Sequence, residues 1–325
     1  METFFSPRGV AIVGASSHKG KIGYEILSNL LASGSTIYPV NPTADHILGQ
    51  RCYMRVSDIP EPVDMAVVAL PADNILSIID DCGRKGVTAL IVISGGFKEI
   101  GRADLEQKMV DRAHHYGMRI IGPNCIGVYN AMNGFNTFFQ REMNLPPPGN
   151  IAIITQSGTI GIGLLEQFAA GIGVSKFVSL GNKADVTEID MLAYLKNDTY
   201  TDIVAMYLED VKDGRTFFTN LPDKPTVILK AGRTTLGEQA ASSHTGAMAS
   251  NNAIFNGAAH QHGALLAENT DHLFDITRFL ALQPLPVGGC IAMITNGAGP
   301  CVMAADYISN TRFLSLSQGL PLKKP

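Results

Sequence analysis

The segment ASSHTGAMAS, residues 241–250, sets His244 among serine, threonine, glycine and alanine. Such a stretch is too small and too polar to be core. An imidazole there is either a loop residue without a role or a nucleophile, because the neutral ring presents one unprotonated nitrogen. Its setting favours chemistry. ASSHTG follows PTVILKAGRT, so it lies beyond the carboxyl end of an expected strand, where open α/β sheets bind ligands. DIVAMYLED ends a neighbouring strand on Glu209, a carboxylate able to hold one ring N–H and leave the other nitrogen free to attack.

A group carried on histidine as an anion needs positive potential nearby. QSGTIG, with Gln156, Ser157 and Gly158, reads as a strand-to-helix turn, and a helix N-terminus supplies free N–H groups and the positive end of its dipole. Ser157 is equally an ordinary helix cap. It is no hydrolase elbow, because Thr155 and Thr159 stand where that motif needs glycine. A second turn, GASSHKGKIG, opens after the first strand. Gly14, Gly20 and Gly23 let backbone approach a phosphate, and Lys21 adds a cation. The next strand ends in YPVNPT, where an NAD site would place an acidic residue to bind ribose hydroxyls, so another phosphorylated nucleotide is favoured. Further strand ends, ALP, SGGF and GPNCIG, carry the Gly, Ser and Pro residues of ligand-binding turns.

The elements that must position these groups follow from periodicity. Three segments begin alike, GVAIVGASS, NIAIITQSG and GCIAMITNGAG, each an apolar run closing in a small-residue turn. Apolar strands separated by amphipathic helices predict parallel sheets covered on both faces. The division predicted is a first α/β domain over 1–143, a Pro-rich linker over 144–149 and a second α/β domain over 150–286. An incomplete third beginning follows over 287–325, too short for a domain of its own, so a truncated product with an open sheet edge is expected.

Composition sets the outer bounds. A net charge of −4 gives no basic excess for nucleic acid or an anionic membrane surface. The five cysteines are scattered and form no C-x-x-C pair, which fits reduced thiols in a cytoplasmic protein. Neither a signal peptide nor a membrane-spanning run is expected. His114-His115 and the His260/His262 pair have no cysteine or carboxylate cluster beside them, so no metal site is expected. Asn182 and Lys183 of SLGNKADV read as helpers at the next strand end, Lys183 and Asp185 equally as solvated surface charges, and NGFNTFFQRE, around Phe135, Phe138 and Phe139, as interdomain packing.

Taken in order, GASSHKGKIG, YPVNP, VVALP, ISGGFKE and GPNCIG resemble the CoA-binding domain of the NDP-forming acyl-CoA synthetases, the superfamily of ADP-forming acetyl-CoA synthetase and the succinyl-CoA synthetase α subunit. The likeness continues through TQSGTIG, SLGNKADV, YLED, LKAGRT and SSHTGAMA to about Asp306. It implies a Rossmann-like CoA-binding domain, a flavodoxin-like succinyl-CoA synthetase-like domain and a partial third α/β domain. It also implies residue roles. Gly14, Ser16, Lys21 and Gly23 would face the CoA phosphates; Pro39, Asn41, Pro71 and Ser94 would line the groove; Asn124 would stand near the thiol. Gln156, Ser157 and Gly158 would surround phosphate, and His244 would be phosphorylated and oriented by Glu209. The implied reaction joins a small carboxylic acid to CoA through an acyl phosphate and a phosphohistidine. ATP or ADP with Mg²⁺ would sit on an ATP-grasp β subunit or domain, as part of a possible oligomer. Two rivals remain: a catalytically silent CoA-binding or protein-acyltransferase scaffold, and an NAD-binding redox protein.

Overall fold

The computed structural model describes residues 1–140, 142–237, 251–311 and 315–316. His244 lies outside the described residues. Two units are present, Met1–Ala281 and Leu282–Pro325.

In the first unit, strands β1 (Val10–Val13), β2 (Ile37–Val40), β5 (Met65–Val68), β6 (Ala89–Val92) and β7 (Arg119–Ile121) form one sheet in the order β2-β1-β5-β6-β7. All its pairings are parallel. The apolar runs explain this, for every residue of β1, β5 and β6 is buried, as a sheet covered on both faces requires. Helices α1 (Ile22–Ala32), α2 (Ile75–Lys85) and α3 (Ala103–His115) are the crossovers. A small antiparallel pair, β3 (His46–Ile47) with β4 (Gln50–Arg51), follows β2.

The second sheet has the order β14-β13-β12-β10-β11-β8-β9. Its parallel part comprises β10 (Pro148–Thr155), β11 (Val174–Ser179), β12 (Ile203–Leu208), β13 (Thr226–Lys230) and β14 (Leu265–Leu266). Helices α4 (Gly158–Phe168), α5 (Glu188–Lys196), α6 (Gly214–Thr219), α7 (Asn252–Gln261) and α8 (Thr270–Leu282) accompany it. Two features go beyond the sequence reading. Strand β10 starts at Pro148, inside the expected linker; proline is tolerated at the first residue of a strand, and the register shifts before it becomes regular. Strand β8 (Val128–Asn130) pairs antiparallel onto β11 and β9 (Phe135–Asn136) antiparallel onto β8, both preceding that linker. The chain of the first sheet thus runs on into the edge of the second. Phe138 is fully buried there, with its ring edge-on to Phe177 at 5.3 Å. One apolar cluster includes Ile91 and Ile121 of the first sheet and Ile154 and Val178 of the second.

The second unit contains β15 (Cys290–Ile291) and β16 (Ser315–Leu316), paired parallel, with helix α9 (Ala298–Ser309) between them in sequence. Among the described residues, no helix is long and apolar enough to cross a membrane.

Close backbone approach fixes where α1 meets the first turn. A Cβ on Gly23 would collide with the carbonyl oxygen of Gly14. Gly163, inside α4, has open space around its Cα. Gly23→Ala is therefore expected to destabilise the chain by about 1–3 kcal/mol through overpacking. Gly163→Ala is expected to be neutral or stabilising by up to about 1 kcal/mol through helix propensity. Urea denaturation of the two variants checks this, and equal midpoints would refute it.

Candidate functional site

The carboxyl ends of the two sheets meet at a cavity of about 340 Å³. The first sheet contributes the turn after β6, with Ile93 and Lys98, and the turn after β7, with Asn124 and Cys125. The second contributes Gln156, Ser157 and Gly158 after β10, Asn182 after β11, and Glu209 and Asp210 after β12. Five residues singled out in the sequence, Asn124, Gln156, Ser157, Gly158 and Glu209, thus come together here.

Local chemistry explains their placement. Ser157 caps α4, its Oγ accepting from the Ile160 N–H at 3.3 Å, so the first turn of α4 opens toward the cavity. A Cβ on Gly158 would come within 2.7 Å of the Ile126 side chain, so only glycine brings the turn this close. Gln156 is buried and works as a clamp. Its Oε1 accepts from the N–H groups of Glu209 at 2.7 Å and Asp210 at 3.1 Å, and its Nε2 donates to Asp210 Oδ1 at 2.6 Å. The Glu209 carbonyl also accepts from the Lys230 ammonium at 2.7 Å. The backbone that carries Glu209 is therefore held on both sides. Asn124 adopts φ of 60°, in the left-handed region that asparagine tolerates better than most residues. Its N–H donates to the Ser94 carbonyl at 3.1 Å, and its Nδ2 to Asn182 Oδ1 at 3.3 Å. Ser94 thus acts through its carbonyl, in holding Asn124.

The structure corrects the reading of Lys183 and Asp185 as solvated surface charges. Lys183 is 1% exposed. Its ammonium donates to Glu188 Oε2 at 2.9 Å and to the Asp210 carbonyl at 2.6 Å, and lies 3.1 Å from Asp210 Oδ1. A φ of 44° at Lys183 departs from the usual backbone, and sequence spacing gives no sign of it. Asp185 has a side chain only 5% exposed, bonded to Arg119 at 3.0 Å and to His114 at 2.9 Å. Burial alone would push the Asp210 carboxyl up, but the charge of Lys183 and the bonds from Gln156 and Lys183 outweigh it and hold the group below the usual carboxylate range. Cys125 is buried and its thiol is pushed up to about 12 by desolvation, which fits a packed residue. Gln140 Oε1, buried at the cavity wall, has no hydrogen-bond partner among the described residues.

A second cavity, about 740 Å³, lies at the first Gly-rich turn and holds Gly14, Ser16 and Asn41. Gly14 has φ of 92°, and a Cβ there would meet Ala69 and Leu70 at 2.9 Å. Asn41 shapes the turn, donating to the Ala15 carbonyl at 2.8 Å and accepting from the Thr43 N–H at 2.8 Å. The other residues assigned to the groove do not line this cavity. Lys21 is exposed at the start of α1, Gly23 packs α1 on the turn, Pro39 is buried within β2, and Pro71 is exposed before the short turn at Ala72–Asn74. Sequence reading missed two cations that do line it, Arg55 and Arg84. Asp81 accepts from Arg84 at 3.3 Å, and from the Val56 N–H at 2.7 Å and Ser57 Oγ at 2.6 Å in the segment that follows Arg55. A glycine cradle with two guanidinium groups fits a phosphorylated nucleotide.

Comparison with known proteins agrees with this architecture. Residues 8–131 match the CoA binding domain family, and residues 148–280 match the succinyl-CoA ligase like flavodoxin domain family. The α subunit of ADP-forming acetate–CoA ligase I from Pyrococcus furiosus is 41% identical over 319 residues, covering 94% of this chain and 69% of that subunit. ADP-forming acetate–CoA ligase I from Archaeoglobus fulgidus is 42% identical over 313 residues, which is 94% of this chain but 45% of that protein. The structure of dinucleotide forming acetyl-coenzyme A synthetase 1 from Ca. Korarchaeum cryptofilum, in complex with phosphate and ADP, superposes with a TM-score of 0.92 at 42% identity. That match covers 98% of this chain and 70% of the other. The chain belongs to the NDP-forming acyl-CoA synthetase superfamily. It spans about half the length of relatives such as the Archaeoglobus ligase.

The Lys183 network yields a prediction with a sign. Lys183→Met leaves Glu188 and Asp210 buried without their cation, a loss of about 3–5 kcal/mol. The folded-state pKa of Asp210 is depressed, so its contribution is present above the unfolded carboxylate value and is lost as pH falls through the folded value. The deficit of Lys183→Met is therefore full near neutral pH and shrinks below about pH 4, the unperturbed aspartate range. Denaturant curves at several pH values check this; a deficit that is constant or grows with acid would contradict it.

Proposed function

We propose that this chain is the α-type component of an NDP-forming acyl-CoA synthetase, interconverting acid, CoA and ATP with acyl-CoA, ADP and phosphate. One observation carries the reading. Asn124, from the CoA-binding half, lines the same cavity at the carboxyl ends of both sheets as the first turn of α4 and Glu209. Gly14, Ser16 and Asn41, with Arg55 and Arg84, would hold the nucleotide end of CoA. When bound, CoA supplies the thiol that carries the acyl group. The N–H groups at Ser157 and Gly158 would hold the negative charge of phosphate, a role suited to a helix N-terminus. Gln156 would keep Glu209 in place, and Glu209 would orient His244 for attack on the phosphorus of an acyl phosphate. The phosphoryl group would then pass from His244 to ADP, held with Mg²⁺ by an ATP-grasp subunit or domain. Asn41, where an NAD site would place a carboxylate, speaks against a dinucleotide redox protein.

Two measurements test this. Calorimetric titration is expected to show CoA binding and no NADH binding, and the reverse would reject the proposal. Incubation with acetyl-CoA and radiolabelled phosphate is expected to give acid-labile, base-stable label on the chain. His244→Ala is expected to abolish the label, and Glu209→Gln to slow its appearance by about 10²-fold or more, as for other carboxylate–imidazole pairs. Undiminished label in His244→Ala would remove the histidine from the scheme.

A further inference from the structure

We infer that Lys98 is the cation that grips phosphate in the cleft, reaching it from the CoA-binding half opposite the first turn of α4. The inference rests on the proposed function and adds a residue to it. Lys98 lines the same cavity as Ser157, Gly158 and Glu209. Charge balance there asks for such a group. Asp210 already has Lys183 as its cation, but Glu209 puts a further carboxylate at the wall, and a phosphate would add more negative charge. The end of α4 offers only about half a unit of positive charge. Lys183 cannot serve, because its three donors already face Glu188 Oε2, the Asp210 carbonyl and Asp210 Oδ1. Lys98 is the one cationic side chain lining the cavity among the described residues, and no carboxylate among them lies within ion-pair distance of its ammonium.

The turn that carries Lys98 is built to stay in place. Glu99 Oε1 accepts from the N–H groups of Gly96 at 2.5 Å and Phe97 at 3.2 Å, and Glu106 Oε2 accepts from the Lys98 N–H at 3.4 Å. Asn182 of the second sheet donates to both carboxylates, to Glu99 Oε2 at 2.6 Å and Glu106 Oε2 at 2.8 Å. A side chain of the phosphate-facing half thus holds the backbone of the lysine that comes from the other half. Preorganised charge of this kind binds a developing or resident anion without reorganisation.

An oxyanion in the cleft has two sources, inorganic phosphate and the carboxylate of the acid, and the test separates them. Equilibrium dialysis of the whole chain with radiolabelled phosphate, and separately with radiolabelled acetate, is compared for wild type, Lys98→Met and Lys98→Arg at fixed ionic strength. Calorimetric CoA binding serves as the check that each variant is folded. Lys98→Met is expected to weaken phosphate about 10- to 100-fold, the loss of one charge-assisted hydrogen bond, with CoA affinity within about twofold of wild type. Lys98→Arg is expected to recover most of the phosphate affinity. Unchanged phosphate affinity in Lys98→Met, a loss confined to acetate, or a wild type that binds no phosphate would each overturn the inference. A wild type that binds phosphate through Lys98 but does not bind CoA would support the phosphate grip and sink the synthetase reading instead.

Discussion

A buried ammonium organises the cleft. Lys183 is 1% exposed and meets Glu188 and Asp210 at once. A charge in such a place is costly unless it is paired and hydrogen-bonded, and here it makes two hydrogen bonds and a further ion-pair contact with Asp210 Oδ1. The bond to Asp210 fixes the end of β12, and the bond to Glu188 fixes the start of α5. Gln156 then takes hold of the same Asp210 from the end of β10. Three neighbouring strand ends are thereby set relative to one another before any ligand arrives. Glu209 projects from a backbone that this network and Lys230 have already placed.

The same economy joins the two sheets. Strands β8 and β9 run on from the first sheet and close the edge of the second, burying Phe135 and Phe138. At the cleft itself the joining is polar. Asn182 reaches Glu99 and Glu106 across the boundary, and Asn124 reaches Asn182. Apolar packing supplies the adhesion, whereas these amide–carboxylate bonds supply position, since an unsatisfied partner on either side would be costly. A reaction that hands groups between a CoA-binding half and a phosphate-holding half needs such a fixed seam.

Much of this was legible in the residues. The strands are short apolar runs bounded by Gly, Ser and Pro, so periodicity located them; the rule that ligands gather at carboxyl ends of parallel strands pointed to Gln156, Ser157, Glu209 and the GPNCIG turn, within which the family resemblance singled out Asn124. What escaped depends on distance in sequence or on backbone sign. Gln156 and Asp210 are 54 residues apart, and no local pattern couples them. Lys183 read equally as a helper or as surface, because its inward turn has φ of 44°, which spacing does not encode. Arg55 and Arg84 come from outside the strand ends, with Asp81 bonded to Arg84 and to the Val56 N–H that follows Arg55. Pro39 and Gly23 show the converse. Both stand in motif-like stretches, yet one is buried in β2 and the other packs a helix, so a motif can mark architecture as readily as contact.

Crystals of the chain grown with CoA and inorganic phosphate would test the central claim most directly. The account predicts the CoA phosphates at the Gly14 turn near Arg55 and Arg84, the thiol in the cleft by Asn124, and a phosphate between the first turn of α4 and Lys98. A thiol directed away from that cleft, or phosphate bound elsewhere while the cleft stays empty, would contradict it.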